Sequence, residues 1–298
     1  MTPTPSAWLD AAASRLGLRL ALLAAAAWTA SAAAGIRLPS MSPASAAQTL
    51  ERLEDARAED EPRKALRQVR RLLRSFPERP EYLRAEAELL TQLRDMKGAA
   101  ADWEEFLAVA PFPAEACPQL GRAYEALGLP ERGLDAHRRC YELDEGKPDP
   151  MLFYALALSG HRRYDEAEKL FQRILEISPG YTDARVGLIR VKIEQNRLEE
   201  AEKLLPETLR IAGGKSADAL LTASMVAEKR GERERGRAYL RDALKVSPSY
   251  TDLYRRLGRL CEQDGLKDEA KKVYASLLEI QPSDAPARRR LRTLEAGK

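Results

Sequence analysis

Along this chain apolar residues recur three and four apart within short stretches, and the stretches recur at a fixed interval. A small residue marks it: Ala65, Ala99, Gly133, Ala167, Ala201, Gly236 and Ala270, with steps of 34, 34, 34, 34, 35 and 34 residues. Four residues after each stands a large, mostly apolar side chain: Val69, Trp103, His137, Phe171, Leu205, Leu240 and Tyr274. Such spacings are those of one helix face. With the small residue numbered 20, position 32 is proline in five of seven units: Pro77, Pro111, Pro179, Pro248 and Pro282. An interior proline costs a helix about 3 kcal/mol, so the second helix of each unit stops there. Position 15 is Gly128, Asn196, Gly231 or Gly265 in four units, where a left-handed residue can end the first helix.

The pattern predicts seven helix-turn-helix units at 46–79, 80–113, 114–147, 148–181, 182–216, 217–250 and 251–284, followed by a capping helix and tail over 285–298. A register held over seven units means a stacked array in which each unit packs only on its neighbours. Three departures stand out. The first helix of unit one reads as poor, as a terminal repeat's can be. Lys192 occupies position 11, where an apolar residue is expected, and Gly213-Gly214 with one extra residue replaces the proline between units five and six, predicting a hinge.

These positions carry a resemblance to the tetratricopeptide repeat family over roughly residues 46–284. Its signature positions 8, 20, 24, 27 and 32 are filled in the last unit by Gly258, Ala270, Tyr274, Leu277 and Pro282. Units three and four resemble it nearly as well, through Leu120, Gly121 and Tyr124, then Ala167, Phe171, Ile174 and Pro179. The near-duplicate strings at 178–183 and 247–252 share one phase. The resemblance implies an all-α, right-handed superhelical α-solenoid of about seven units plus the capping helix. It also implies a protein or peptide partner bound in a concave groove lined by the first helices. Positions 5 and 9, with their neighbours, then make an apolar strip of Leu152, Phe153, Leu156, Val186, Leu221 and Met225. Arg84 and Arg122 precede it, and Arg190, Arg255 and Arg259 lie within and after it. An exposed strip of this kind suits a hydrophobic peptide with acidic flanks. The alternative is that these residues pack between adjacent first helices. A chaperone-type carboxylate clamp of lysine and asparagine loses support, because Asn196 is the chain's single asparagine and sits in a turn.

Charge and chemistry narrow the function further. Charged residues make up 32% of the chain with a formal net charge of +3, so bulk charge gives no reason to expect nucleic acid. The arginines at 288–292 read as the one basic cluster of note, a solvated cap favoured by the helix dipole. Position 2 is acidic in six of seven units, which helix N-terminal charge explains. His137 and His161 lack neighbours at metal-ligand spacing, and neither a nucleophile elbow nor a Gly-rich phosphate loop occurs. The expectation is a protein without catalytic residues, metal or cofactor. Cys117 and Cys140 fall on facing positions of one unit, so an exported location would permit a disulfide. Helix axes 8–10 Å apart favour instead two small core residues, since a disulfide needs Cα atoms within about 7 Å.

The N-terminus differs in kind. Arg15 and Arg19 precede an apolar run from Leu20 to Ile36, about 26 Å long as a helix. Ala30-Ser31-Ala32 has the small-residue spacing of a signal-peptidase site. Residues 1–36 read equally as a cleaved signal peptide or a retained membrane anchor, and 37–45 as a short linker. The flanking arginines place the repeats across the inner membrane, on the periplasmic side. This layout resembles exported or membrane-anchored bacterial envelope assembly factors with tetratricopeptide repeats. The expected function is a non-enzymatic, exported or tethered scaffold. The alternative is a soluble co-chaperone or adaptor, its N-terminus an organelle address.

Overall fold

The computed structural model describes residues 41–110, 116–144 and 146–296. The apolar run with Arg15 and Arg19, most of the linker, Pro111 and Glu115 lie outside the described residues. Within them are fifteen α-helices and no strand. None of these helices is long and apolar enough to cross a membrane.

The chain divides into two compact units, residues 1–144 and 145–298. In the first, α1 (Pro43–Ala58) pairs with α2 (Pro62–Ser75), α3 (Pro80–Gln92) with α4 (Met96–Val109), and α5 (Ala116–Ala126) with α6 (Pro130–Leu143). In the second, the pairs are α7 (Pro148–Gly160) with α8 (Tyr164–Ile177), α9 (Thr182–Glu194) with α10 (Leu198–Ala212), α11 (Ala217–Lys229) with α12 (Arg233–Val246), and α13 (Thr251–Gln263) with α14 (Lys267–Ile280). The last helix, α15 (Ala285–Glu295), packs on α14.

One turn closes every pair. Asp60, Arg94, Gly128, Arg162, Asn196, Gly231 and Gly265 all have left-handed backbone, with φ between 53° and 81°. The following amide reaches back five residues: Glu61 N–H to Ala56 C=O, Asp95 to Leu90, Arg163 to Leu158, Leu266 to Cys261, at 2.8–2.9 Å. Each turn is therefore a Schellman stop that satisfies carbonyls the helix end would leave open. The sequence reading found the four units with Gly or Asn here. The other three use Asp or Arg in the same conformation.

Several expectations need correction. α1 begins at Pro43, inside the segment read as linker, with Ser42 accepting from the Ser45 amide at 3.3 Å. Nor is α1 poor: Ala46, Leu50, Leu53 and Ala56 are buried, while Arg52 on the same helix stays exposed. Lys192 is buried, 4% exposed, yet matched: its Nζ donates to Glu168 and stands 2.9 Å from Glu200, and Arg197 bridges the same two carboxylates. After α10, Gly213 and Gly214 are both left-handed (φ 56° and 68°), a pair of turns no β-carbon-bearing residue enters cheaply. The arginines at 288–292 are not the only basic cluster either, since α2 carries Arg63, Lys64, Arg67, Arg70, Arg71 and Arg74 without one acid.

Cys117 and Cys140 are disulfide-bonded, with Cα atoms 6.2 Å apart. Axis spacing overstates the Cα spacing across a helix pair. Facing Cα atoms each stand about 2.3 Å inside the line between axes, so axes roughly 10 Å apart bring them near enough. Gly121 and Gly133 tighten this hairpin: a β-carbon on Gly133 would meet the Gly121 carbonyl oxygen at 3.3 Å.

Candidate functional site

The apolar strip does not form an open groove. Leu152, Val186 and Leu221 are 6%, 4% and 9% exposed, and Phe153 and Met225 are half-buried. Only Leu156 stands out, at 42%. The cause is geometric: α7, α9 and α11 pack side to side, so residues pointing toward a groove on one isolated helix fall in the seam between two.

The expected arginines divide into tied and free. Arg190 of α9 spends its guanidinium inside the array, with Nε donating to Thr222 Oγ1 at 3.2 Å and Nη2 to Asp218 Oδ1 at 2.9 Å. Asp218 also accepts from the Tyr250 hydroxyl at 3.5 Å, and Asp149 likewise accepts from the Tyr181 hydroxyl. The duplicated strings thus supply a tyrosine, the last residue of its unit, that closes on the position 2 acid of the same unit, a use of that acid beyond dipole compensation. Arg84 and Arg122 belong to the first unit. Arg84 is exposed with Glu88 at 3.7 Å, and Arg122 donates to Gln119 Oε1 at 2.7 Å.

One cleft that stays open in the second unit, of about 630 Å³, lies between α13 and α15, reached by Leu221 of α11 and floored by Tyr274 of α14. Ala285 begins 34 residues after Thr251, so α15 continues the period as one more first helix. Arg289 then takes the position that Arg255 holds in α13. The N-cap of α15 fixes the wall. The Asp284 carboxylate, 3% exposed, accepts from the Ala287 amide at 2.8 Å and from Arg255 at 2.6 and 2.8 Å. Burial alone would raise its pKa, but the amide and the guanidinium hold it below the ordinary value. Behind the floor, the Tyr274 hydroxyl donates to Glu262 Oε1 at 2.7 Å, and Arg290 pairs with Glu262 at 3.0 Å. Gly258 gives the ring its space, because a β-carbon there would lie 2.5 Å from Tyr274 Cζ. Arg256 is tied to Glu228.

Two guanidiniums in the cleft, Arg259 and Arg289, are exposed and carry no hydrogen bond or ion pair among the described residues. Neighbouring cations are already matched, so the cleft presents two free, forked donors on a rigid wall beside apolar Leu221 and the Tyr250 ring. That is an acceptor-seeking site for carboxylates. Sequence reasoning found Leu221, Arg255 and Arg259 and missed Arg289, although the 34-residue step to Ala285 was the available signal.

Nucleophilic and ligating groups elsewhere are quiet. Burial pushes the Cys261 thiol up to about 11 and the His137 imidazole down to about 4. Among the described residues no group of three or more His, Cys, Asp or Glu side chains could hold a metal ion.

Tetratricopeptide repeat family models match residues 50–116, 158–223 and 221–285. Among solved structures, a tetratricopeptide repeat protein from Parabacteroides merdae is similar with a TM-score of 0.69. It is 14% identical, and the match covers 83% of this chain and 98% of that one. A thermophilic tetratricopeptide repeat protein of Thermus thermophilus is similar with a TM-score of 0.55 and 22% identity, over 61% of this chain and 99% of that one. These likenesses establish the fold. Among curated proteins, cellulose synthase operon protein C of Pseudomonas fluorescens is 27% identical over 173 residues, 56% of this chain. The match spans only 14% of that protein's length.

Proposed function

Because the chain belongs to the tetratricopeptide repeat family, whose members are protein-interaction scaffolds, we propose that it is a non-enzymatic, exported or membrane-tethered scaffold for envelope assembly. Its second unit takes an acidic peptide segment of a partner in the cleft between α13 and α15. The observation that carries this reading is the pair of unmatched guanidiniums, Arg259 and Arg289, in a wall whose other cations are tied. Charge-assisted hydrogen bonds to carboxylates are roughly twice as strong as neutral ones, and Leu221 with Tyr250 offers an apolar seat beside them.

Two features support the exported placement. The Cys117–Cys140 disulfide suits an oxidising compartment. Arg15 and Arg19 before the apolar run suit an N-in, C-out insertion.

A photo-reactive amino acid at Pro286, on the rim of the cleft, tests the site in the native cell. It should cross-link to an Asp- and Glu-rich segment of a partner. Cross-links formed from the same probe at exposed Leu156, and none from Pro286, would move the site to the α7 face and contradict the cleft.

A further inference from the structure

Helix α2 presents its bases as one stripe. Ala65, Leu66, Val69 and Leu72 are buried, while Arg63, Arg67, Arg71 and Arg74 lie on the opposite face within an arc of about 80° and a length of about 16 Å. The other two bases are matched, Lys64 by Glu61 and Arg70 by Glu86 at 2.6 Å. The four arginines of the stripe are exposed and have no hydrogen bond or ion pair among the described residues. No other described helix carries so many bases without an acid.

The position of this helix in the chain says what would cover it. α1 starts seven residues after Ile36, the end of the apolar run, so at most about 25 Å of chain separates them. α2 runs back along α1, which returns Arg71 and Arg74 to the end of the hairpin where the chain enters. If residues 1–36 are a retained tether, this end stands at the membrane surface. A flat row of guanidiniums beside a bilayer meets phosphates, and each base near an anionic surface strengthens association about fivefold.

We propose that Arg63, Arg67, Arg71 and Arg74 of α2 form a docking stripe for anionic phospholipid headgroups, laying the first unit against the membrane that tethers the chain. The proposal rests on the tether reading above, and its test separates the two. The full-length chain is reconstituted with vesicles of phosphatidylcholine alone, or of phosphatidylcholine mixed with phosphatidylglycerol. Flotation reports the tether, and phenylglyoxal modification read by peptide mass spectrometry reports each arginine. The expected result is modification of the four arginines at least tenfold slower on the mixed vesicles than on phosphatidylcholine. The protection should vanish at roughly half-molar salt, where the screening length falls to a few ångströms. A chain that floats with both vesicles while the four react equally fast on each keeps the tether and overturns the stripe. One that floats only with the mixed vesicles, its stripe protected, keeps the stripe and overturns the tether; floating with neither overturns both. Equal protection by inorganic phosphate would assign the stripe to free anions, and protection by polyuridylic acid to nucleic acid. Either result overturns the lipid assignment.

Discussion

Arg94 and Arg162 sit in left-handed backbone at φ 64° and 60°, where a β-carbon costs about 1–2 kcal/mol. Glycine there would remove that cost and return about 0.5–1 kcal/mol of chain entropy. Arg94→Gly and Arg162→Gly should each stabilise the protein by roughly 0.5–1 kcal/mol in denaturant titrations. The reverse exchange, Gly265→Ala, should destabilise it by a similar amount or more. A second residue-scale effect belongs to Asp102 on α4. Burial, then the charges of Glu86 and Glu105, push its carboxyl up to about 7, and its Oδ2 is buried without a partner. A carboxyl that binds its proton more tightly folded than unfolded stabilises the fold while protonated. That stability is lost as pH rises from about 4 through 7. The melting temperature of the wild type should therefore fall between pH 5 and 8 more steeply than that of Asp102→Asn, a comparison calorimetry makes directly. Equal slopes would show that Asp102 is an ordinary surface acid.

At the scale of elements, the legible and the illegible separate cleanly. Helix pairs, their proline stops and four of the seven turns follow from periodicity, because those positions need a residue type that few others replace. Asp60, Arg94 and Arg162 hid the remaining turns, since the Schellman bonds of the pair impose the conformation on residues that do not favour it. The groove strip was misread for a related reason. A single helix shows which residues are apolar, but whether Leu152 and Val186 meet solvent or the next helix depends on lateral packing of α7 on α9. Lys192 looked like a flaw in α9 until Glu168 of α8 and Glu200 of α10 were placed beside it. The bond between Cys117 of α5 and Cys140 of α6 closes a loop with a sequence separation of 23 residues. In the chain-entropy account such a loop contributes about 3 kcal/mol. Cys117→Ala with Cys140→Ala should lower stability by about that amount, and reductant should then change the melting of the wild type but not of the double variant. Identical responses to reductant would mean the two thiols are not bonded in the native protein.

For the whole molecule, the near-zero balance of charge conceals a division of labour. Many guanidiniums tie one helix to another, as Arg190, Arg255 and Arg256 do. Unpaired guanidiniums form two groups, Arg259 with Arg289 in the cleft of the second unit and the stripe on α2, and these are the two surfaces proposed above for binding. The most direct measurement is calorimetric titration of the full-length chain with an Asp- and Glu-rich peptide containing one leucine. Its Asn and Gln counterpart is titrated alongside, and both titrations are repeated with Arg259→Ala/Arg289→Ala. Each charged hydrogen bond lost should cost about 1.5–3 kcal/mol, so the double variant should bind the acidic peptide at least tenfold more weakly. Wild-type affinity should also fall as salt is raised, and the amide peptide should bind poorly throughout. Equal affinity for the two peptides, or a double variant that binds the acidic one as tightly as wild type, would contradict the account.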